Sequence, residues 1–154
     1  MGPLISAHQR ETVTSYVEGD AVDVAFRGSA PDGAGYWYPP TVVLPRGPED
    51  RIWREEVFGP VVAVLPFDDE ADAIAKANDT EYGLSGSIWT RDVARAIRVS
   101  RGVDAGNISV NSHSSVRYST PFGGFKQSGL GRELGPDALA AFTETKNIFI
   151  STED

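Results

Sequence analysis

The chain has 154 residues, 40% hydrophobic and 23% charged, with 16 Gly, 10 Pro and no Cys, a length that suits one domain able to bury about 70% of its unfolded surface. The missing cysteine excludes a disulfide scaffold, a thiolate metal site and a cysteine nucleophile among these residues. Its 14 basic and 22 acidic side chains give a net charge of −8, a field that repels phosphate backbones and anionic lipid, so no nucleic-acid or membrane partner is expected.

The longest apolar stretch, Val57 to Phe67, is broken by Gly59, Pro60 and Pro66 and is too short to span a bilayer. The N-terminus shows no basic lead and no long apolar run, so no secretory signal is visible. Gly2 and Ser6 stand where a lipidation signal would have them, but Pro3 argues against one. A cytoplasmic protein is the expectation.

In chain order, the first predicted helix runs from Ser6 to about Glu18, with Ser6 and Gln9 spaced as a capping box. Gly28 to Pro40 is a loop marked by the turn signal Pro31-Asp32-Gly33. A short strand at Thr41 to Leu44 follows, then a short helix from Arg51 to Phe58 and a buried strand from Pro60 to Phe67. Asp68 or Asp69 caps a helix with Ala71, Ile74, Ala75 and Ala77 on one face. Ser85 to Thr90 is a strand, and Asp92 opens a helix with Val93, Ala96, Ile97 and Ser100 inward. Asn107 to Asn111 is a strand, Ser112 to Gly135 a long loop, and Asp137 caps a helix to about Thr143. Asn147 to Ser151 is a last strand. This alternation implies right-handed crossovers and a three-layer α/β fold, a mainly parallel sheet with helices on both faces. Ligands of such sheets sit at the carboxyl ends of strands, which points to the loops after Phe67, Thr90 and Asn111.

The loop Pro121 to Glu133 is rich in glycine, but the phosphate-loop spacing fails because Leu130 and Gly131 follow Gly129. A tight loop packing on its own domain is the stronger reading. In Glu55-Glu56-Val57-Phe58-Gly59-Pro60, a carboxylate offers acceptors to a vicinal diol and an aromatic side chain offers a flat face. A solvated helix end with a buried Phe is the alternative. His8 and His113 lack carboxylates at metal-ligand spacing, so no metal site is expected. Ser114 beside His113 does not make a nucleophile elbow. The arginines at 91, 95, 98 and 101 describe a solvated stripe.

Five blocks in register carry a resemblance: Gly2-Pro3-Leu4-Ile5-Ser6, Glu55 to Pro60, Ala77 to Leu84, Trp89-Thr90-Arg91-Asp92, and Pro121 to Gly124 running on to Gly129-Leu130-Gly131-Arg132-Glu133. Together they resemble the C-terminal portion of the catalytic domain of NAD(P)-dependent aldehyde dehydrogenases. The resemblance implies oxidation of an aldehyde to a carboxylic acid by a cysteine thiolate, with a glutamate-activated water releasing the acyl group. The family's nucleophile, its base and its Rossmann glycines lie upstream of the Gly2 block, so no catalytic residue is matched and the isolated chain is expected to be inactive.

The same resemblance implies that Glu56 meets the nicotinamide ribose, Phe58 the nicotinamide and Gln9 the adenosine ribose. Ser112, His113, Arg117 and Tyr118 fall in a substrate-anchoring loop, here polar to cationic, and Phe122 in the aldehyde pocket wall. Residues 1–145 would belong to the catalytic domain and 146–154 to an oligomerisation arm carrying Ile148, Phe149 and Ile150. The cofactor is NAD or NADP in the full-length family, with none held tightly by this chain alone. Expected partners are a second copy or a complementary aldehyde dehydrogenase segment, with the aldehyde bound only in the complete enzyme. The alternative is a non-catalytic interaction or regulatory subunit assembling through its C-terminal strand. The interval from Tyr16 to Gly28 is slightly short for the family, which predicts a truncated or shifted first helix.

Overall fold

Ser6 starts the first helix as its residue type requires. In the computed structural model its hydroxyl accepts the Gln9 N–H at 3.1 Å, satisfying one of the amide donors that a helix start leaves unpaired. The structure describes residues 1–18, 22–113 and 116–152. They fall into two compact units, Met1–Ala73 and Ile74–Asp154. Among the described residues, no helix is long and apolar enough to cross a membrane.

In the first unit, helix α1 (Ala7–Val17) precedes strands β1 (Val22–Arg27) and β2 (Thr41–Pro45), the one-turn helix α2 (Arg51–Arg54) and β3 (Val61–Ala63). The sheet order is β1-β2-β3, antiparallel at the first pairing and parallel at the second. Tyr16 and Val17 of α1 cluster with Val22, Val43 and Ile52 in a core against which Tyr38, Val57 and Val61 pack. Thr41 is buried there without an orphaned hydroxyl, because its Oγ1 donates to the Pro39 carbonyl at 2.8 Å.

Helix α3 (Glu70–Asn78) crosses the boundary between the units. The second unit then holds β4 (Tyr82–Gly83), β5 (Ser85–Ile88), α4 (Val93–Gly102), β6 (Asn107–Val110), β7 (Phe125–Lys126) and a 3₁₀ turn at Ala138–Phe142. Strands β5 and β6 pair in parallel, in register from Ser85↔Asn107 to Ile88↔Val110, with α4 as the crossover. Strands β4 and β7 pair antiparallel. Asp92 caps α4, accepting the Ala94 and Arg95 N–H groups at 2.9 and 3.1 Å. The Arg95 amide is the main cause that holds the Asp92 carboxyl below the ordinary aspartate range. Two asparagines tie the loops together. Asn78 donates to the Gly102 carbonyl at 2.7 Å and accepts the Asp104 N–H at 2.8 Å. Asn107, buried, donates to the carbonyls of Leu84 and Gly123 at 3.0 and 2.9 Å.

The α/β class stands, with the strands divided among three small sheets. Several local expectations are corrected. The helix at Arg51 ends at Arg54 and not Phe58, because Glu55 turns to extended backbone (φ −109°, ψ 151°). The strand expected at Pro60 to Phe67 is only Val61–Ala63, and Val62, Val64 and Phe67 are exposed. Of the face expected to turn inward on α4, Ala96 is buried, whereas Val93 and Ile97 are exposed. Ala71, Ala75 and Ala77 of α3 are exposed as well. Asp137 makes no side-chain cap. Asn147 to Ser151 belongs to no strand among the described residues. Strand β1 carried no sequence signal, since five of its six residues are exposed. Helix α1 ends at Val17, and part of the short interval after it lies outside the described residues.

Replacing Asn107 by Ala removes two partly buried hydrogen bonds, to the carbonyls of Leu84 and Gly123. The expected cost is about 1–3 kcal/mol, read as a lower urea midpoint for the second unit. An unchanged midpoint would show that water replaces the amide without loss.

Candidate functional site

The Glu55–Gly59 segment leaves α2 and is held by α1. The Glu55 carboxylate accepts the Tyr16 hydroxyl at 2.5 Å, together with Arg51 Nε at 3.2 Å and Nη2 at 3.0 Å. The Arg51 guanidinium also lies 4.3 Å over the Tyr16 ring, a cation–π contact. Hydrogen bonds from Arg51 first, and then from Tyr16, hold the Glu55 carboxyl below the ordinary glutamate range. The Tyr16 hydroxyl is pushed up, chiefly by its bond to Glu55 and then by burial.

Further along the segment, Gln9 Nε2 donates to the carbonyls of Val57 at 3.2 Å and Phe58 at 3.1 Å. Phe58 sits at φ 53°, left-handed backbone that is unusual for a bulky residue, and the residue is 74% exposed. A Cβ on Gly59 would come within 2.5 Å of Val13 Cγ2, so only glycine allows this approach to α1. Glu56 is exposed. The structure therefore brings Gln9, Glu56 and Phe58 into one unit, with Gln9 gripping the backbone of its two companions' segment. The alternative of a buried Phe58 is excluded by its exposure.

The second group of candidates lies on the loop after β6. Ser112, His113, Arg117 and Tyr118 are exposed and Phe122 is half-buried; Ser114 lies outside the described residues. The loop is pinned at its far end. Phe122 and Glu133 exchange backbone hydrogen bonds at 2.7 and 2.8 Å, and the Gly135 N–H reaches the Tyr118 carbonyl at 3.0 Å. Arg117, Tyr118 and Phe122 thus ride on one anchored loop. Of the strand-end loops singled out by topology, those at Thr90 and Asn111 meet. The Asn111 amide bonds the Thr90 N–H and carbonyl, both at 2.9 Å. They border an open groove of about 570 Å³ lined also by Trp89, Arg91, Val93, Ala96 and Val110.

The glycine-rich stretch closes on its own unit. Its Phe125–Lys126 pairs with β4, the Gln127 N–H reaches the Glu81 carbonyl at 2.9 Å, and Ser128 Oγ accepts the Gly83 N–H at 3.0 Å. Lys126 Nζ donates to the Asn78 and Thr80 carbonyls at 2.8 and 3.2 Å. These groups build a loop and not a phosphate cradle. No cluster of three or more His, Asp or Glu suited to a metal ion occurs among the described residues. Sequence reasoning missed the roles of Tyr16 and Arg51. The i, i+4 spacing of Arg51 and Glu55 was an available signal for one pair, but nothing local pointed from Tyr16 to a residue 39 positions on.

The chain is a mixed α/β protein that presents an exposed carboxylate and an exposed aromatic from one segment of its first unit, and a polar loop from its second. Residues 1–148 match the model of the aldehyde dehydrogenase family, and the chain belongs to that family. Betaine aldehyde dehydrogenases from Mesorhizobium japonicum and Agrobacterium fabrum are 43% and 42% identical to it, across 100% and 99% of this chain but 33% and 32% of their own length. The chain thus spans about a third of the length of the curated relatives it matches. Among solved structures, an NAD+ complex of an aldehyde dehydrogenase from Bacillus cereus superposes with a TM-score of 0.90 at 39% identity, covering 99% of this chain and 32% of that one. Betaine aldehyde dehydrogenase from Staphylococcus aureus in complex with NAD+ gives 0.83 at 39% identity, covering 92% and 30%.

The Tyr16–Glu55 bond makes stability depend on pH at both ends. Glu55 is depressed in the folded chain, so its contribution is full above the ordinary glutamate pKa of about 4 and is lost as pH falls through the folded value. Tyr16 is raised, so its contribution is full below the ordinary tyrosine pKa of about 10 and is lost as pH climbs through the folded value. Glu55→Gln is expected to flatten the acid limb of a stability-versus-pH curve measured by urea unfolding. An acid limb identical to that of the parent chain would remove Glu55 from the account.

Proposed function

We propose that this chain supplies the C-terminal part of the catalytic domain of an aldehyde-oxidising enzyme, presenting Glu56 and Phe58 to NAD. The carrying observation is the segment itself. An exposed carboxylate has only acceptor sites, which suit the two hydroxyls of a ribose, and an exposed aromatic face suits a flat heterocycle. The NAD+ complexes of two similar enzymes support that reading. NAD, when bound, takes up the hydride that the aldehyde loses. Glu56 would fix the ribose and Phe58 would orient the ring.

A second observation supports a complementary segment as partner. A two-stranded parallel sheet is not found alone in water, because parallel strands need both faces covered. Here β5 and β6 form such a pair, and Trp89, Val93 and Ile97 beside it are exposed. The nucleophilic thiol would come with that segment, since these 154 residues hold no Cys. Arg117 and His113 on the anchoring loop favour a polar or anionic aldehyde over a cationic one such as betaine aldehyde.

The purified chain is expected to form no NADH from aldehyde and NAD+. Co-expression with the remainder of the Agrobacterium fabrum relative should restore turnover, faster with an anionic aldehyde than with betaine aldehyde. Glu56→Ala should then lower kcat/KM by about tenfold or more, the loss of a charge-assisted hydrogen bond. Turnover by the chain alone, or none from the pair, would overturn the reading.

The exposed C-terminal stretch favours self-association as an accompanying property. Ile148, Phe149 and Ile150 are 74%, 85% and 77% exposed, and an exposed apolar segment can add itself as a strand to a sheet edge. Sedimentation of the chain with and without residues 146–154 is expected to show a lower mass after truncation. Equal masses would dismiss the arm.

A further inference from the structure

We propose that one face of α1 acts as the template for the cofactor-facing segment, with Gln9 and Tyr16 as its positioning residues. This rests on the reading of Glu56 and Phe58 given above. Gln9, Val13 and Tyr16 are spaced i, i+4 and i+7, which places them on one stripe of the helix. Each grips a different part of the segment. Tyr16 binds the Glu55 carboxylate, Val13 meets Gly59, and Gln9 holds the carbonyls of Val57 and Phe58.

The consequence for Glu56 follows from backbone geometry. Glu55 is extended, and neighbouring side chains of extended backbone point to opposite sides. Fixing Glu55 to α1 therefore turns Glu56 outward, where it is exposed. At the other end, the left-handed Phe58 needs a restraint to persist. The two Gln9 hydrogen bonds bracket that residue's own carbonyl and the preceding one. Gln9 thus acts through the segment by its donor N–H groups, and Tyr16 acts through Glu55. Both reduce the number of conformations that a ribose would otherwise have to select from.

The test uses the ¹⁵N-labelled chain with nicotinamide mononucleotide, which carries the nicotinamide ribose alone, titrated to millimolar levels. In the parent chain, amide shifts at Glu56 and Phe58 are expected. Gln9→Glu keeps the size but loses the donor, and Tyr16→Phe keeps the buried ring but loses the hydroxyl. Each is expected to weaken nucleotide binding by about threefold to tenfold, one hydrogen bond's worth, while amide shifts in β2 stay unchanged. Gln9→Lys, which restores a donor, should recover most of the loss. Should Gln9→Glu fail to fold, Tyr16→Phe carries the comparison. Absence of shifts at Glu56 and Phe58 in the parent chain would sink the cofactor reading and this inference with it. Shifts in the parent together with equal binding by the variants would overturn this inference alone.

Discussion

The bond from the Tyr16 hydroxyl to the Glu55 carboxylate ties the end of a one-turn helix to a helix that closes the core of the same unit. Its value is geometric more than energetic. Arg51 and Glu55 keep roughly half their side-chain surface in water, 58% and 48%, and ion pairs this exposed add little stability. Tyr16, by contrast, is buried with Val17, Val43 and Ile52, so its hydroxyl is presented from a fixed ring. A carboxylate bound to a fixed donor cannot wander, and the three residues that follow it inherit that restraint. The strained φ of Phe58 and the close contact of Gly59 with Val13 are conformations that a free loop would not keep.

The second unit obeys a different constraint. Its parallel pair is linked by α4, whose start is fixed by the Asp92 cap and whose end is fixed by Asn78 through Gly102 and Asp104. Local hydrogen bonding is therefore well satisfied. What is unsatisfied is apolar surface: Trp89 and Val93 are 69% and 74% exposed. Local order therefore coexists with open apolar surface, which local hydrogen bonds do nothing to cover.

The legible parts of the fold were those with short-range causes. Ser6 and Asp92 act on amides two or three residues away, so residue type and spacing locate both caps. The parallel pairing of β5 and β6 followed from strand–helix–strand order. The illegible parts had long-range causes. The helix at Arg51 stops at an extended Glu55 whose carboxylate meets Tyr16, 39 residues away. Strand β1 shows no burial pattern, because only Val22 turns to the core. The apolar face read on α3 and the inward face expected of α4 are largely uncovered, because periodicity reports which side is apolar and not whether anything covers it. At the candidate site, Glu56 and Phe58 were assigned by resemblance, and their exposure required the fold. Gln9 was placed near the same cofactor by resemblance, while its grip on the Val57 and Phe58 carbonyls required the fold.

Glu55 and Glu56 show why residue identity alone does not assign a role. Two identical side chains stand side by side, and composition cannot distinguish them. The extended backbone at Glu55 separates them by direction, because consecutive side chains leave such a chain on opposite sides. One carboxylate meets a phenol and a guanidinium and is held ionised; the other faces solvent. The first has its acceptor sites engaged by protein donors, so it suits orientation. The second keeps its acceptor sites open to water. Conformation at a single residue thus gives two adjacent, identical side chains different surroundings, one tied to α1 and the other left in solvent.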